Sequence, residues 1–334
     1  MSANNGGGAV LVAGGAGYIG SHTAKQLRAA GMRPVVVDNL VTGNRFAARF
    51  GPFIEGSIED RDLIRRAIEA HGIQSAILFA AHAYVGESTV NPRKYYHNNI
   101  SAALAFLDAL LEGGVRRIVF SSSCSIYGLQ EKIPISEDSP KGPLSPYAQT
   151  KLFMEQILRA YAAAEGLQSV CLRYFNAAGA DPEGELGEHH DPETHLIPLA
   201  IYAAMGRGPL SVFGTDYPTP DGTAIRDYIH VTDLAAGHIA ALEYLQGGGA
   251  SVGVNLGTGN GHSVRQVMQM VEQVSGVPVP ANYGPRREGD APALVADASY
   301  AARLLNWTPK YSSLESIVGT AWKWHSEREA SATA

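Results

Sequence analysis

The sequence predicts an α/β fold: a doubly wound parallel sheet with a second, smaller α/β lobe. Through the first half of the chain, short β-branched runs alternate with amphipathic stretches. After Asn176 that alternation loosens into loops rich in Gly, Pro and acidic residues and then shorter elements. The 334 residues also exceed one ordinary core and fit one large unit with a smaller companion.

The elements follow in order. Ala9–Gly14 (AVLVAG) reads as a buried strand, Tyr18–Gly31 as a helix closed by Gly31, and Pro34–Asp38 (PVVVD) as a second buried strand. Ser75–Ala81 and Arg116–Ser123 are two more strands, with helical segments near Arg61–Ala70 and Asn98–Glu112. A long helix starts at SPYAQTK. Ser145 is a candidate N-cap, and Pro146 suits a first turn, where its missing N–H costs nothing. Gln168–Asn176 is the next strand. Beyond the loop AAGADPEGELGEHHDPETH come a helix from His195 to about Met205, a strand at Leu210–Phe213 and a helix near Thr232–Leu245. A strand at Ser251–Leu256 and helices near Ser263–Ser275 and Ser313–Glu327 close the chain. Residues 8–176 are thus expected to form the first domain, with 251–256 a candidate added strand, and 177–328 the smaller lobe. Residues 1–7 and 329–334 are expected to be flexible.

Composition narrows the functional classes. Hydrophobic residues make up 45% and charged residues 17%, ordinary for a folded chain. The net charge of −6 argues against nonspecific nucleic-acid binding, though a local basic pocket for a phosphate is compatible with it. Cys124 and Cys171 lie in apolar surroundings without metal-ligand spacing, so they read as buried thiols of a reducing compartment, and no metal site is expected. The start MSANNGGGAV has neither a basic nor an apolar signal region, and apolar stretches fall far short of the ~20 residues of a membrane span. The expectation is a cytoplasmic chain.

The first strand runs into GGAGYIG, with Gly14, Gly17 and Gly20 at three-residue intervals. In a chain of 37 glycines the spacing alone says little; its place between a strand and a helix gives it weight. Glycine permits a tight turn and close approach of a ligand, and the following helix aims free N–H groups at a pyrophosphate. Asp38 ends the second strand, where a carboxylate would take a ribose hydroxyl and repel a 2′-phosphate. Together these point to a Rossmann-like site for NAD; the plainer reading is a turn cluster with a capping aspartate.

Tyr147 and Lys151 lie one turn apart on the long helix. A phenol has a pKa of about 10, and bringing it near 7 needs about 4 kcal/mol of differential stabilisation. A nearby ammonium and a cationic nicotinamide ring are expected to supply it. FSSSCSIYG brings Ser123 to the carboxyl edge of the sheet, where it can bond the same substrate oxygen. Standing alone, such a Tyr/Lys pair is often only helix surface.

These residues resemble the extended short-chain dehydrogenase/reductase family. The resemblance runs along nearly the whole chain and is nearest to its nucleotide-sugar 4-epimerases, through VAGGAGYIGSHT, FAAHAYVGES, FSSSCSIYG, SPYAQTK, RYFNAAGADP, GTDYPTPDGTAIRDYIHVTDLA and PRREGD. It implies that Tyr147 is the catalytic base and acid, Lys151 its partner and Ser123 its assistant. It implies NAD contacts at Gly14, Gly17, Tyr18, Ile19, Gly20, Asp38, Asn39, Ser57, Ile58, Phe79, Ala80, Ala81, Asn98, Tyr147, Lys151 and Tyr174. It implies substrate contacts at Ser123, Tyr147, Asn176, His195, Leu196, Arg226, Arg287, Asp290 and Leu294, with both arginines on a nucleotide diphosphate. The plainer reading of Arg226 and Arg287 is ion pairing with Asp227, Glu288 or Asp290.

The chain departs from the family's pattern at four places. A cofactor-contacting lysine is Ala83 here, an adenine-side aspartate is Ser57, a nucleotide-side asparagine is His195, and a tyrosine beside the sugar's C2 group aligns with Leu294. The implied reaction is inversion at C4 of a UDP-sugar, UDP-glucose to UDP-galactose, through a 4-keto sugar that turns over in the site. UDP-pentose or UDP-N-acetylhexosamine epimerisation remains open. A 4,6-dehydratase is disfavoured, because Ser123, Cys124 and Ser125 stand where such enzymes look to need Thr-Asp-Glu. A non-catalytic NAD-binding protein would have no use for Ser123, Tyr147 and Lys151 together. The resemblance also implies a homodimer through the helices near Asn98–Glu112 and Tyr147–Glu165.

Overall fold

The computed structural model describes residues 8–287 and 289–333, with side chains through residue 328. Seven strands form one parallel sheet: β1 (Ala9–Ala13), β2 (Arg33–Asp38), β3 (Phe53–Glu55), β4 (Ile73–Leu78), β5 (Arg117–Ser121), β6 (Gln168–Tyr174) and β10 (Val252–Leu256). Their order is β10-β6-β5-β4-β1-β2-β3. The chain reverses its direction of travel between β1 and β4, so the crevice at the carboxyl ends of these two strands is the place for a ligand.

A parallel sheet must be covered on both faces, and alternation along β1 sends its side chains both ways. Leu11 and Ala13 join one core with α2 (Arg61–His71), α5 (Ala103–Glu112) and α6 (Pro146–Glu165). Val10 and Val12 join the other with α1 (Tyr18–Ala29), α8 (Val231–Gln246) and α10 (Ser299–Leu305). This corrects the expectation that the helix near Thr232–Leu245 belongs to the smaller lobe. Leu234, Ala241, Leu242 and Leu245 of α8 cover the second sheet face, because α1 alone cannot shield strands β4 to β10.

The smaller lobe has its own core on α7 (Leu196–Ala204), α9 (Val264–Ser275) and α11 (Leu314–Thr333). Its strands are β7 (Asn176–Ala178), β8 (Leu210–Phe213), β9 (Ile225–His230), β11 (Gly261–Ser263), β12 (Ala281–Gly284) and β13 (Ala293–Leu294). β9 pairs with β7, β11 and β13, and β8 pairs with β12. The strand expected to run to Asn176 ends at Tyr174, and Asn176 opens β7 of the second lobe. Short helices α3 (Val85–Val90) and α4 (Pro92–Tyr96) lead into a π-turn at His97–Ala102 before α5, where one helix was expected from Asn98. Residues 329–333, expected to be loose, continue α11; residues 1–7 and 334 lie outside the described residues. Both cysteines are free thiols. Among the described residues no helix is long and apolar enough to cross a membrane.

Candidate active site

The glycine loop sits at the carboxyl end of β1. Gly14 has φ +80°, and a Cβ there would fall 2.5 Å from the Ala80 nitrogen. A Cβ on Gly20 would meet the Gly14 carbonyl at 2.3 Å. These two glycines let the turn and helix close on the sheet. A Cβ on Gly17 would meet nothing closer than 3.3 Å, so its open side faces outward. Gly17 is the N-cap of α1; no side chain caps this helix, and its first turn holds no acidic residue. The first-turn N–H groups of Tyr18, Ile19 and Gly20 are thereby left to an anion. The residues present fit a dinucleotide.

Asp38 is buried at the end of β2, and its carboxylate accepts hydrogen bonds from the Ala16 and Leu40 N–H groups at 2.9 and 2.8 Å. Burial pushes its pKa up and those two bonds pull it down. Each oxygen keeps a further lone pair for a ribose hydroxyl. Exposed Asn39 accepts from the Val41 N–H, Ser57 accepts from the Glu59 N–H, and Ile58 is buried in the core. Phe79, Ala80 and Ala81 follow β4, with Phe79 and Ala80 donating N–H bonds to the Ala13 carbonyl. The Tyr18 hydroxyl donates to the Gly179 carbonyl at 2.6 Å, tying the loop to the second lobe.

Two strands further along the same edge lies the Tyr/Lys/Ser group. Ser145 caps α6 as expected, accepting from the Ala148 N–H, and places Tyr147 and Lys151 on one face. The Lys151 ammonium lies 5.7 Å from the Tyr147 ring centre and 5.0 Å from that of Phe120. Among the described residues it has one hydrogen bond, to the Ser121 carbonyl at 2.7 Å. Tyr147 lies deep in the molecule but keeps an open edge. Ser123 follows β5, and Tyr174 at the end of β6 shares a hydrogen bond with the Ser121 hydroxyl.

In the protein without its cofactor, burial dominates the electrostatics of both groups. Burial pushes Tyr147 up to about 12, and the Ser123 hydroxyl only partly offsets it. Burial pushes Lys151 down to about 7. Without the cofactor, burial thus disfavours the charged form of both groups, and the ammonium is turned toward the Ser121 carbonyl. Cys124, beside Ser123, is pushed up to about 12 by burial and is no thiolate.

The substrate candidates fall in two groups. Asn176, Arg226 and Leu294 lie on neighbouring strands of the second lobe, with Leu294 opposite Arg226 and the Asn176 amide donating to the Asp227 carbonyl at 3.0 Å. Arg226 pairs with Asp290, which also accepts from the Tyr217 hydroxyl. Arg287 stacks over Phe213 at 4.1 Å; Glu288 lies outside the described residues. His195 and Leu196 stand apart at the start of α7, where the His195 ring meets Glu188. Glu188 is pulled down to about 2 by His195 and His190 despite its burial.

Several supporting residues escaped sequence reasoning. Of the dyad Asn98–Asn99, Asn98 donates its amide to Asn99, and Asn99 locks the chain after β4 by bonding the His82 N–H and carbonyl and the Thr150 hydroxyl. Ser122 donates to Glu155, which forms a two-point pair with Arg173. The serine run and the paired asparagines were the available signals; nothing in the sequence marked Glu155.

Residues 10–257 match the NAD dependent epimerase/dehydratase family. The chain belongs to that family. It is 48% identical over 320 residues to a UDP-glucose 4-epimerase of Rhizobium meliloti, covering 96% of this chain and 97% of the relative. Among solved structures of the family it is similar to the UDP-glucose 4-epimerase from Brucella ovis in complex with NAD, with TM-score 0.93 and 51% identity over 94% of this chain and 97% of that one. It is also similar to a UDP-glucose-4-epimerase from Stenotrophomonas maltophila with bound NAD and formylated UDP-arabinopyranose, with TM-score 0.93 and 40% identity over 97% and 99%.

Proposed function

We propose that the chain is an NAD-dependent isomerase that interconverts UDP-glucose and UDP-galactose by inversion at C4. The observation that carries this is a buried, singly bonded lysine beside Tyr147 and Ser123, on the same sheet edge as an uncapped glycine loop. Gly14, Gly17, Gly20 and Asp38 would hold NAD, which would supply a hydride acceptor and donor for the sugar's C4 and a cationic ring favouring the phenolate that burial disfavours. Tyr147 takes the proton from the sugar's O4 and returns it to the same oxygen after the flat 4-keto sugar has turned. Ser123 donates to O4 and holds it near the phenol. Lys151 offers its free N–H donors to ribose hydroxyls, which restores its protonation and its pull on Tyr147.

Residues 8–174 with α8, β10 and α10 serve as the NAD-binding domain, and the rest of 176–328 supplies the nucleotide-sugar lobe. Gly14 to Gly20 and Asp38, with Asn39, Ser57, Ile58, Phe79, Ala80, Ala81, Asn98 and Tyr174, surround the cofactor. Arg226, steadied by Asp290, and Arg287 clamp the diphosphate; His195 and Leu196 meet the nucleotide; Asn176 and Leu294 border the sugar. Phe153 of α6 and Tyr96, both more than a third exposed, mark the face on which a second copy seats to form a homodimer. We place the enzyme in the cytoplasm.

Leu294 supports a second reading. It is smaller than a tyrosine and lacks the hydroxyl, so UDP-N-acetylhexosamines have room beside it, while the segment FAAHAYVGES keeps a UDP-pentose reading open. The test is incubation with UDP-galactose, UDP-arabinopyranose and UDP-N-acetylgalactosamine without added NAD, followed by product separation. UDP-glucose is the expected main product; failure to convert any of the three after NAD reconstitution overturns the proposal.

A further inference from the structure

The loop GEHHDPETH before α7 folds four chemistry-bearing side chains onto one point. Among the described residues, one ligand atom each from Glu188, His190, Glu193 and His195 all lie within 4.8 Å of one another. The His190 Nδ1 is 3.2 Å from the Glu188 Oε1 and 3.6 Å from the Glu193 Oε2, and the His195 Nδ1 is 3.6 Å from the Glu193 Oε1. A tetrahedral zinc with bonds of about 2.0–2.1 Å has ligand–ligand edges of about 3.3 Å. The two edges from the His190 Nδ1, to the Glu188 Oε1 and the Glu193 Oε2, are already near that length, and the His195–Glu188 contact has to open.

A second observation points to a ligand. The Glu193 side chain is 4% exposed, and among the described residues its Oε2 makes no hydrogen bond, facing only the His190 Nδ1 at 3.6 Å. The other Glu193 oxygen accepts from the Thr194 and His195 N–H groups at 2.7 and 2.9 Å, which fixes the carboxylate with its open oxygen inward. The Trp324 indole donates to the Glu188 carbonyl at 2.9 Å, and the rings of Tyr18 and Tyr84 meet His190 edge-on. Such outer partners orient metal ligands.

We propose that Glu188, His190, Glu193 and His195 form a tetrahedral site for a zinc-class divalent cation. Two carboxylates and two imidazoles, neutral once the cation has displaced their ring protons, balance its charge, and the donor set of nitrogen and oxygen suits zinc over magnesium or calcium. The cation fastens the loop before α7 against the first turn of α1 and takes no part in the proton transfers. It revises the sequence expectation of no metal and gives the His195 ring to the cation rather than to the nucleotide; it is tested apart from the epimerase reading, because binding is measured without turnover.

The experiment takes the full chain, strips it with chelator, adds ZnCl2 at pH 7.5, desalts and counts metal by mass spectrometry. About one zinc per chain is expected, with at least a tenfold loss of affinity in Glu193→Gln and His190→Gln. Cobalt(II) added to the stripped wild type should give the intense visible bands of a four-coordinate ion, a readout that needs no variant to fold. Zinc-free desalted wild type with an octahedral cobalt spectrum overturns the site and leaves an imidazolium–carboxylate network in its place.

Discussion

Lys151 and Glu155 lie one turn apart on α6, and both are about 95% buried. The chain treats them oppositely. Glu155 is met by the Arg173 guanidinium at two points, 2.9 and 2.7 Å, and by the Ser122 hydroxyl at 2.6 Å. Arg173 in turn donates to the Tyr127 hydroxyl, which donates to Asn255. Lys151 receives one carbonyl. A fully paired buried charge is structure; a buried charge left short of partners is a cost retained for chemistry.

The largest effect should fall on the proton carrier. Tyr147→Phe removes only the hydroxyl, and the expected loss in turnover is ~10^3–10^4-fold. NAD content, measured after acid release, should stay near wild type because the glycine loop is untouched. Substantial activity in this variant would move the proton transfer elsewhere.

Next is the underpartnered lysine. Lys151→Met should lower turnover by roughly 10^2–10^3-fold and yet raise the stability of the cofactor-free protein. The sign follows from linkage. Lys151 titrates near 7 when folded and at its ordinary 10.5 when unfolded. Between those values the unfolded chain holds the extra proton, so wild-type stability from this group climbs with pH. The variant lacks the term. Its advantage in urea denaturation should therefore be greatest below about pH 7 and vanish by about 10.5. An advantage independent of pH would mean better packing, not a removed charge.

This contrast also marks what the sequence disclosed. The central sheet, the glycine loop, the Ser145 cap and the Tyr147–Lys151 face were legible because each rests on local spacing: alternation in strands, three-residue glycine steps, one helical turn. Glu155 was not legible, because its partners Ser122 and Arg173 reach it only through the pairing of β5 with β6 and the packing of α6 on them. The pairing of Arg226 with Asp290, by contrast, was among the ion pairs the sequence offered. Spacing gave the lysine's position beside the phenol, while the burial that disfavours charge on both groups follows from packing, which no spacing shows.

The smallest effect on turnover belongs to Glu155. Glu155→Gln keeps the shape and leaves the Arg173 charge buried without its counterion, which should cost about 3–5 kcal/mol of stability in chemical denaturation. Turnover at temperatures where the variant stays folded should fall less than tenfold, because Ser122 and Arg173 touch neither Tyr147 nor Lys151 among the described contacts. The double variant Glu155→Met with Arg173→Met separates pairing from need. If the pair only satisfies itself, removing both charges should recover most of the lost stability, leaving Tyr127 still bonded to Asn255. If turnover collapses in the double variant while stability returns, the pair acts on the reacting groups through Ser122 and the end of β5, and the division between the two turns of α6 would no longer hold.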